Sequence, residues 1–443
     1  MLKADWIRRL HQHRYGFSLF AYIVAAIATG SACVLFARAF EWVLSHRLDF
    51  DSVGAWAWLI APIGFLVAVE IIRRWAPFAA GTGIPQAIFA SEHFSADNEK
   101  QIYPLLSPWT VAIKILTLLL GVWVGASTGR EGPTVHVAVG VFLGMLFLFR
   151  RWLGFDFDRR SAAIAGGAAG LAAAFNTPLA GVTFAVEELS EHYFSSVKDI
   201  VLMAIIVAAV VAQMLTGEYS YFGRLQDPSP VPLYVVLLIG LVGGSAGIFF
   251  GFLLLKGSEW LKQYQNGAGR YGIPVFMALG IMGIAFVCGL RTLGPGNRIA
   301  QELLNDRFGD WVFAFPLAKM MTTLMTYWSG LSGGIFAPCL SAGAGIGADL
   351  AQWMHFSIST CALIGMAAFL SGAIQAPMTS FVIIFEMTGH HDMLLPLMLA
   401  SVLPFMVARL LGAPHLYKAL ASAYSSIIGL PTQESGSSEN KSH

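Results

Sequence analysis

The chain has 443 residues, 56% of them hydrophobic and only 12% charged, with a net charge of +1 and a mean hydropathy of +0.66. Soluble domains carry about a quarter charged residues, so this composition belongs to a polytopic membrane protein. The near-zero net charge gives no basis for a nucleic-acid or acidic partner.

Met1 to Gly16 is polar and basic, with Lys3, Arg8, Arg9 and Arg14, and an apolar run begins at Phe17. That order predicts a cytoplasmic N-terminal segment over 1–16 and no cleaved signal peptide. Apolar segments then fall at 17–44, 54–71, 104–126, 131–149, 161–187, 198–216, 231–255, 273–290, 311–328, 335–355, 359–385 and 393–412. Polar connectors separate some of them, at 91–103, 217–230, 258–272 and 291–310. Many of the 46 Gly and 19 Pro lie inside the apolar runs. Small residues let helices pack closely in lipid, and Gly/Pro interruptions mark discontinuous helices around a site. From about Pro431 the chain is rich in Ser, Glu, Lys and Asn and reads as a disordered tail. The four cysteines, Cys33, Cys288, Cys339 and Cys361, form neither a CxxC pair nor a zinc spacing and read as buried thiols.

Gly129-Arg130-Glu131-Gly132-Pro133 places two charges inside this hydrocarbon-rich chain. An ionised side chain at bilayer depth costs roughly 2.5–3.5 kcal/mol on insertion scales and usually marks an ion pathway. Pro133 suits the first turn of a helix, whose unpaired N–H groups attract anions. A helix start bearing its own carboxylate suggests competition between that carboxylate and a bound anion.

The chain also repeats itself. Gly166, Pro178 and Glu187 recur as Gly365, Pro377 and Glu386, always 199 residues on (365 − 166, 377 − 178, 386 − 187). The segment ending in Pro133 has a counterpart ending in Pro338, 205 residues on (338 − 133). Two related halves with broken helices are the sequence sign of a transporter whose site lies at the repeat interface. Whether the repeat is inverted is not legible at this level.

Four segments stand together: Gly81-Thr82-Gly83-Ile84-Pro85, Gly129 to Pro133, Gly334-Ile335-Phe336-Ala337-Pro338, and Tyr417 in Pro414-His415-Leu416-Tyr417. With Asn176 to Gly181 and Glu187-Glu188, their order and spacing resemble the CLC family of chloride channels and chloride/proton antiporters. The resemblance spans about residues 17–425 and is to the bacterial type, which lacks a cytoplasmic regulatory domain. It implies an all-α membrane fold of two repeated halves, about 17–216 and 231–425, with broken helices. It implies a homodimer with one pore per subunit, in the bacterial inner membrane, with both termini cytoplasmic. Thr82 would offer a hydroxyl, Tyr417 a phenol, and Ile335 and Phe336 backbone N–H groups to the anion. Glu131 would be the gating glutamate, and Glu188 the internal proton-transfer glutamate that channels replace by an apolar residue. Such N–H and hydroxyl ligands hold chloride firmly enough to enter and weakly enough to leave. The chain departs from the family pattern at Thr82, where chloride-selective members mostly carry Ser. It departs again at Gln86 and Ile88, where some bacterial relatives carry acidic residues.

Arg130 and Lys114 are the supporting charges near this site, and Glu131 could instead be permanently paired with one of them. Lys114 lies in an apolar run and is expected to be paired. Glu188 lies about ten residues into a helix starting at Pro178, which would bring it near the cytoplasmic surface. Its bland alternative is an interfacial Glu at a helix end, like Glu187 and Glu191. Glu187 is assigned to structure because Glu386 is its repeat mate. Tyr417 could be an interfacial aromatic, and His136 reads as a buried structural histidine. His390-His391-Asp392 reads as a loop, since adjacent histidines on a helix cannot share one metal ion. Arg73-Arg74, Arg150-Arg151 and Arg159-Arg160 read as topology charges.

The sequence therefore predicts a chloride/proton antiporter needing no cofactor besides bound chloride, with the lipid bilayer as its other partner. A voltage- or pH-gated chloride channel on the same fold is the alternative. An intramembrane enzyme is disfavoured, because no Ser or Cys lies with a His in a matching Gly-rich setting.

Overall fold

A computed structural model describes residues 2–154, 156–189, 194–217, 221–222, 229–264, 267–305 and 312–429. The expected tail from Pro431, and Glu191, lie outside these residues. Eight helices among them are long and apolar enough to cross a membrane: Phe17–Ser45, Gly54–Trp75, Glu99–Trp123, Glu131–Trp152, Val197–Thr216, Leu233–Lys262, Gly269–Cys288 and His391–Leu410. The protein is a multi-pass, all-helical membrane protein. Exposed Leu, Phe and Val cover its outer surface, and exposed Trp42, Trp75, Trp152 and Trp260 lie near helix ends. Those are the positions where indole rings favour the lipid headgroup zone.

The first helix runs from Leu2 to Ser45 without a break at Phe17, so the basic segment extends the first apolar helix rather than preceding it. Two long apolar runs are broken instead. The run at 161–187 divides where Asn176 turns left-handed (φ 57), after helix Arg159–Phe175 and before Pro178 starts helix Pro178–Phe184. The run at 359–385 divides identically at Gln375 (φ 60), between Ile358–Ile374 and Pro377–Thr388. A left-handed C-cap followed by a proline at the next helix start is how a chain stops one helix and redirects another. With 17, 7, 17 and 12 residues, all four helices are too short to span a bilayer of about 30 Å, so helix ends fall within it.

The two halves meet through reciprocal contacts. Glu187 accepts from the Met378 and Thr379 N–H groups at 2.8 and 2.7 Å. Glu386 accepts from the Leu179 and Ala180 N–H groups at 2.9 and 2.7 Å. Gly129 and Gly334 exchange backbone hydrogen bonds of 2.8 and 2.9 Å in an antiparallel bridge. Thr117 meets Ser332 at 3.0 Å, and Thr322 donates to Ser127 at 3.1 Å. Ser332 and Thr322 follow Ser127 and Thr117 by the same 205 residues (332 − 127, 322 − 117). Contacts in which each residue meets its partner's repeat mate define a two-fold axis. Each terminal Glu caps the start of its mate, so helices 178–189 and 377–388 run antiparallel. An axis that reverses membrane helices lies in the membrane plane, and the repeat is therefore inverted.

All three arginine pairs are more than topology charges. Arg159, only 3% exposed, donates to Glu99 and Asp156, and Arg150 joins the same Glu99. Glu70 binds both Arg74 and Arg270. A buried guanidinium requires such partners.

Candidate anion site

The three Gly-rich segments converge where the halves meet. Gly81 N–H donates to Leu331 O, Gly333 N–H to Gly81 O, and Gly129 N–H to Gly334 O. The convergence depends on missing side chains. Gly83 N-caps helix Ile84–His93 at φ 96, and a Cβ there would collide with His136. A Cβ on Gly132 would press on Thr82 O at 2.9 Å. Here three helices begin: Ile84–His93, Glu131–Leu153 and Phe336–Met354. Each carries proline early, at Pro85, Pro133 and Pro338, where a missing N–H loses nothing. Ile335 is the N-cap of the third helix, and its carbonyl accepts the first intrahelical bond, from Cys339. The Ile335 and Phe336 N–H groups precede that ladder and so face outward from the helix start.

Two buried hydroxyls lack partners. Thr82 is 1% exposed and Tyr417 is 0% exposed. Neither Thr82 Oγ1 nor Tyr417 Oη has a hydrogen-bond partner among the described residues. A buried hydroxyl without a partner costs about 1–3 kcal/mol, so such a pair points to a ligand. The Tyr417 ring stacks on Phe336 at 6.1 Å, and Phe336 packs on Phe175 at 6.0 Å. Tyr417 is thus part of the core and not an interfacial aromatic.

Glu131 is fully buried. Its carboxylate folds back over Gly129, close to Ala337 at the start of the facing helix; a Cβ on Gly129 would strike it. Oε1 accepts from Tyr221 Oη at 2.5 Å, and Tyr221 Oη accepts from Asn297 Nδ2 at 2.8 Å. Oε2 has no hydrogen-bond partner among the described residues. The backbone N–H groups of Glu131 and Ala337 act on the carboxylate through their dipoles, outside hydrogen-bond geometry to Oε2.

The permanent pairing with Arg130 or Lys114 is not what forms. Arg130 donates to Ala37 O at 2.9 Å and pairs with Glu41 at 3.4 Å, its guanidinium lying toward Phe40. Lys114, fully buried, donates to Gly81 O at 2.8 Å and forms no ion pair among the described residues. The expected partner of Lys114 is therefore a carbonyl. Gln86 ties the preceding turn, donating to Phe78 O and Ala80 O at 2.9 and 3.0 Å, and Ile88 is core.

Glu188 lies in a π-helical turn, Ala185–Leu189, and is only 4% exposed. Its side chain is buried among protein atoms rather than exposed at a helix end. That turn packs against helices Ile84–His93 and Arg159–Phe175. Both Glu188 and Glu131 lie within electrostatic reach of Tyr417. His136 Nε2 meets Leu105 O at 2.7 Å, a structural contact. His391 and Asp392 begin a 3₁₀ turn with Met393.

Tyr221 and Asn297 were not singled out from the sequence, because both lie in segments read as polar connectors. One signal was available. Gly294 and Gly296 repeat Gly81 and Gly83 at a spacing of 213 (294 − 81, 296 − 83), with the same left-handed φ and a helix following.

Fold and site define a class: a multi-pass membrane protein whose two inverted halves meet on a polar site framed by helix starts. The chain belongs to the voltage-gated chloride channel family, whose model matches residues 63–409. It is similar to the H(+)/Cl(-) exchange transporter ClcA of Yersinia pestis bv. Antiqua (strain Angola), 30% identical over 90% of this chain and 85% of the relative. ClcA of Salmonella agona (strain SL483) is 29% identical over 94% and 91%. Among solved structures, a slow cyanobacterial Cl-/H+ antiporter superposes with a TM-score of 0.81 at 24% identity, covering 93% of this chain and 98% of that one. A CLC-type fluoride/proton antiporter gives 0.70 at 20% identity, covering 91% and 97%. The two structural likenesses bear on the fold alone.

Proposed function

We propose that this chain exchanges chloride for protons, with Glu131 as a gate that competes with the anion. The observation that carries the reading is the set of buried, unpartnered oxygens: Thr82 Oγ1, Tyr417 Oη and Glu131 Oε2. Two of these groups can donate to an anion, and the third is a carboxylate folded toward the same helix starts.

Chloride sits against the Thr82 and Tyr417 hydroxyls and the Ile335 and Phe336 N–H groups. The oriented dipoles of the three helix starts favour either the anion or the Glu131 carboxylate, and not both. Anion entry displaces the carboxylate, which takes a proton and turns outward. Its return carries the proton in, and Glu188 passes it toward the cytoplasm by a route separate from the anion's. Lys114 and Arg130 add positive potential around the site. Chloride is substrate, and no cofactor is invoked. The ClcA relatives carry the name of this exchange, which supports the reading over that of a passive channel.

The protein works as a homodimer of independent pores in a bacterial inner membrane, with both termini cytoplasmic. The halves divide at about 17–216 and 231–425. The test is to reconstitute purified protein in liposomes under a chloride gradient alone. Exchange predicts proton movement driven by the chloride gradient. A channel predicts a reversal potential that follows chloride only.

A further inference from the structure

Tyr221 and Asn297 have no role in the scheme above, yet they provide the hydrogen bond to the Glu131 side chain. We propose that Tyr221, oriented by Asn297, is the latch that holds the Glu131 carboxylate in the anion site and so sets how strongly the gate competes with chloride. The inference rests on Glu131 being that gate.

The direction of each hydrogen bond is fixed by chemistry. An Asn amide nitrogen can only donate, so Tyr221 Oη receives the Asn297 hydrogen at 2.8 Å. The phenol's own hydrogen then points to Glu131 Oε1, 2.5 Å away. A hydroxyl donating to a carboxylate at this distance makes a charge-assisted bond, stronger than a neutral one. It favours the ionised, seated form of Glu131 over a protonated side chain that has swung out.

Packing keeps Tyr221 in place. It is 7% exposed, with its ring 5.3 Å from Phe175 and 5.1 Å from Phe222. Phe175 in turn contacts Phe336, which stacks on Tyr417. One aromatic row therefore joins the latch to the anion ligand Tyr417. Asn297 is only partly buried and opens helix Asn297–Leu304. The latch thus links the second half's Gly-x-Gly turn to the first half's glutamate.

The consequence has an unusual sign. Chloride reaches the site only from the fraction of molecules in which the carboxylate has left. Weakening the latch enlarges that fraction, so losing a hydrogen bond should tighten apparent chloride binding. Removing one bond to a charged group changes such an equilibrium by about tenfold or more. A merely structural lesion at Tyr221 would weaken binding instead.

The experiment is calorimetric titration of chloride into purified full-length wild type, Tyr221→Phe, Asn297→Ala, Glu131→Gln, and the Tyr221→Phe/Glu131→Gln double variant. Tyr221→Phe keeps the ring and its contacts, and Asn297→Ala tests the same latch without touching the core. We expect severalfold tighter binding in Tyr221→Phe, a smaller tightening in Asn297→Ala, and no further effect of Tyr221→Phe once Glu131 is Gln. Unchanged or weaker binding in Tyr221→Phe, with Glu131→Gln tighter than wild type, overturns the latch and leaves the gate standing. Unchanged binding in Glu131→Gln overturns the gate, and the latch with it.

Discussion

Lys114 and Lys319 are repeat mates, 205 residues apart (319 − 114), and each donates its buried ammonium to the first glycine carbonyl of a Gly-x-Gly turn. Lys114 binds Gly81 O at 2.8 Å; Lys319 binds Gly294 O at 2.5 Å, and Thr292 O and Ser127 Oγ at 3.0 Å each. Neither lysine forms an ion pair among the described residues. The two turns they hold start helix Ile84–His93, just after Thr82, and helix Asn297–Leu304, which opens on the latch residue. Two inverted halves thus each place a positive charge behind a turn that helps frame the site.

A buried charge without a counter-ion acts on anions over several ångströms, because the low-dielectric interior screens it weakly. Lys114→Met keeps the stem's volume and leaves Gly81 O the hydrogen bond from Gly333. Chloride affinity should fall by roughly threefold or more by calorimetry. An unchanged affinity would reduce Lys114 to a brace for the turn.

The anion ligands make a sharper case. Thr82→Ala and Tyr417→Ala each delete a buried hydroxyl that has no hydrogen-bond partner among the described residues. A hydrogen bond to a charged group is worth about 1.5–3 kcal/mol, or roughly tenfold or more in affinity. At least one substitution should weaken chloride binding by that order. If both bind as wild type does, the anion lies elsewhere.

Glu187 and Glu386 should behave alike, since each caps its mate's helix. Glu187→Ala and Glu386→Ala each leave two helix-start N–H groups without their cap, a loss of about 0.5–2 kcal/mol. Both should lower the thermal unfolding midpoint in detergent by similar amounts and leave the proton-to-chloride ratio unchanged. A changed ratio would mean that Glu187 carries protons.

Glu188→Gln should stop proton transport while chloride still crosses, because it removes the ionisable group and leaves Thr82, Tyr417, Ile335 and Phe336 in place. Fluxes recorded together in liposomes read this directly. Coupled exchange at the wild-type ratio would remove Glu188 from the proton route.

The parts legible in the sequence were those written in residue type. Gly, Pro and Glu at fixed offsets announced the broken helices and the repeat, because few residues can start a helix in lipid or cap one from a distance. The inversion of the repeat was not legible, since spacing carries no direction; the crossed caps of Glu187 and Glu386 reveal it. Arg159 looked like a surface charge because its partner Glu99 is 60 residues away (159 − 99). The latch escaped for a similar reason. Segments 217–230 and 291–310 read as connectors because they are polar overall, yet within the second an amphipathic helix, Asn297–Leu304, buries Ile299, Ala300, Leu303 and Leu304. That burial brings Asn297 to Tyr221, a pairing across 76 residues that no local pattern encodes.

The central claim is that one carboxylate, Glu131, is both the gate for chloride and the carrier of protons. The most direct test records chloride efflux and proton uptake simultaneously in liposomes containing wild type or Glu131→Gln, which mimics the protonated gate. Wild type should take up protons against their gradient as chloride leaves, and Glu131→Gln should pass chloride with no proton movement. Proton uptake that persists in Glu131→Gln would contradict the account.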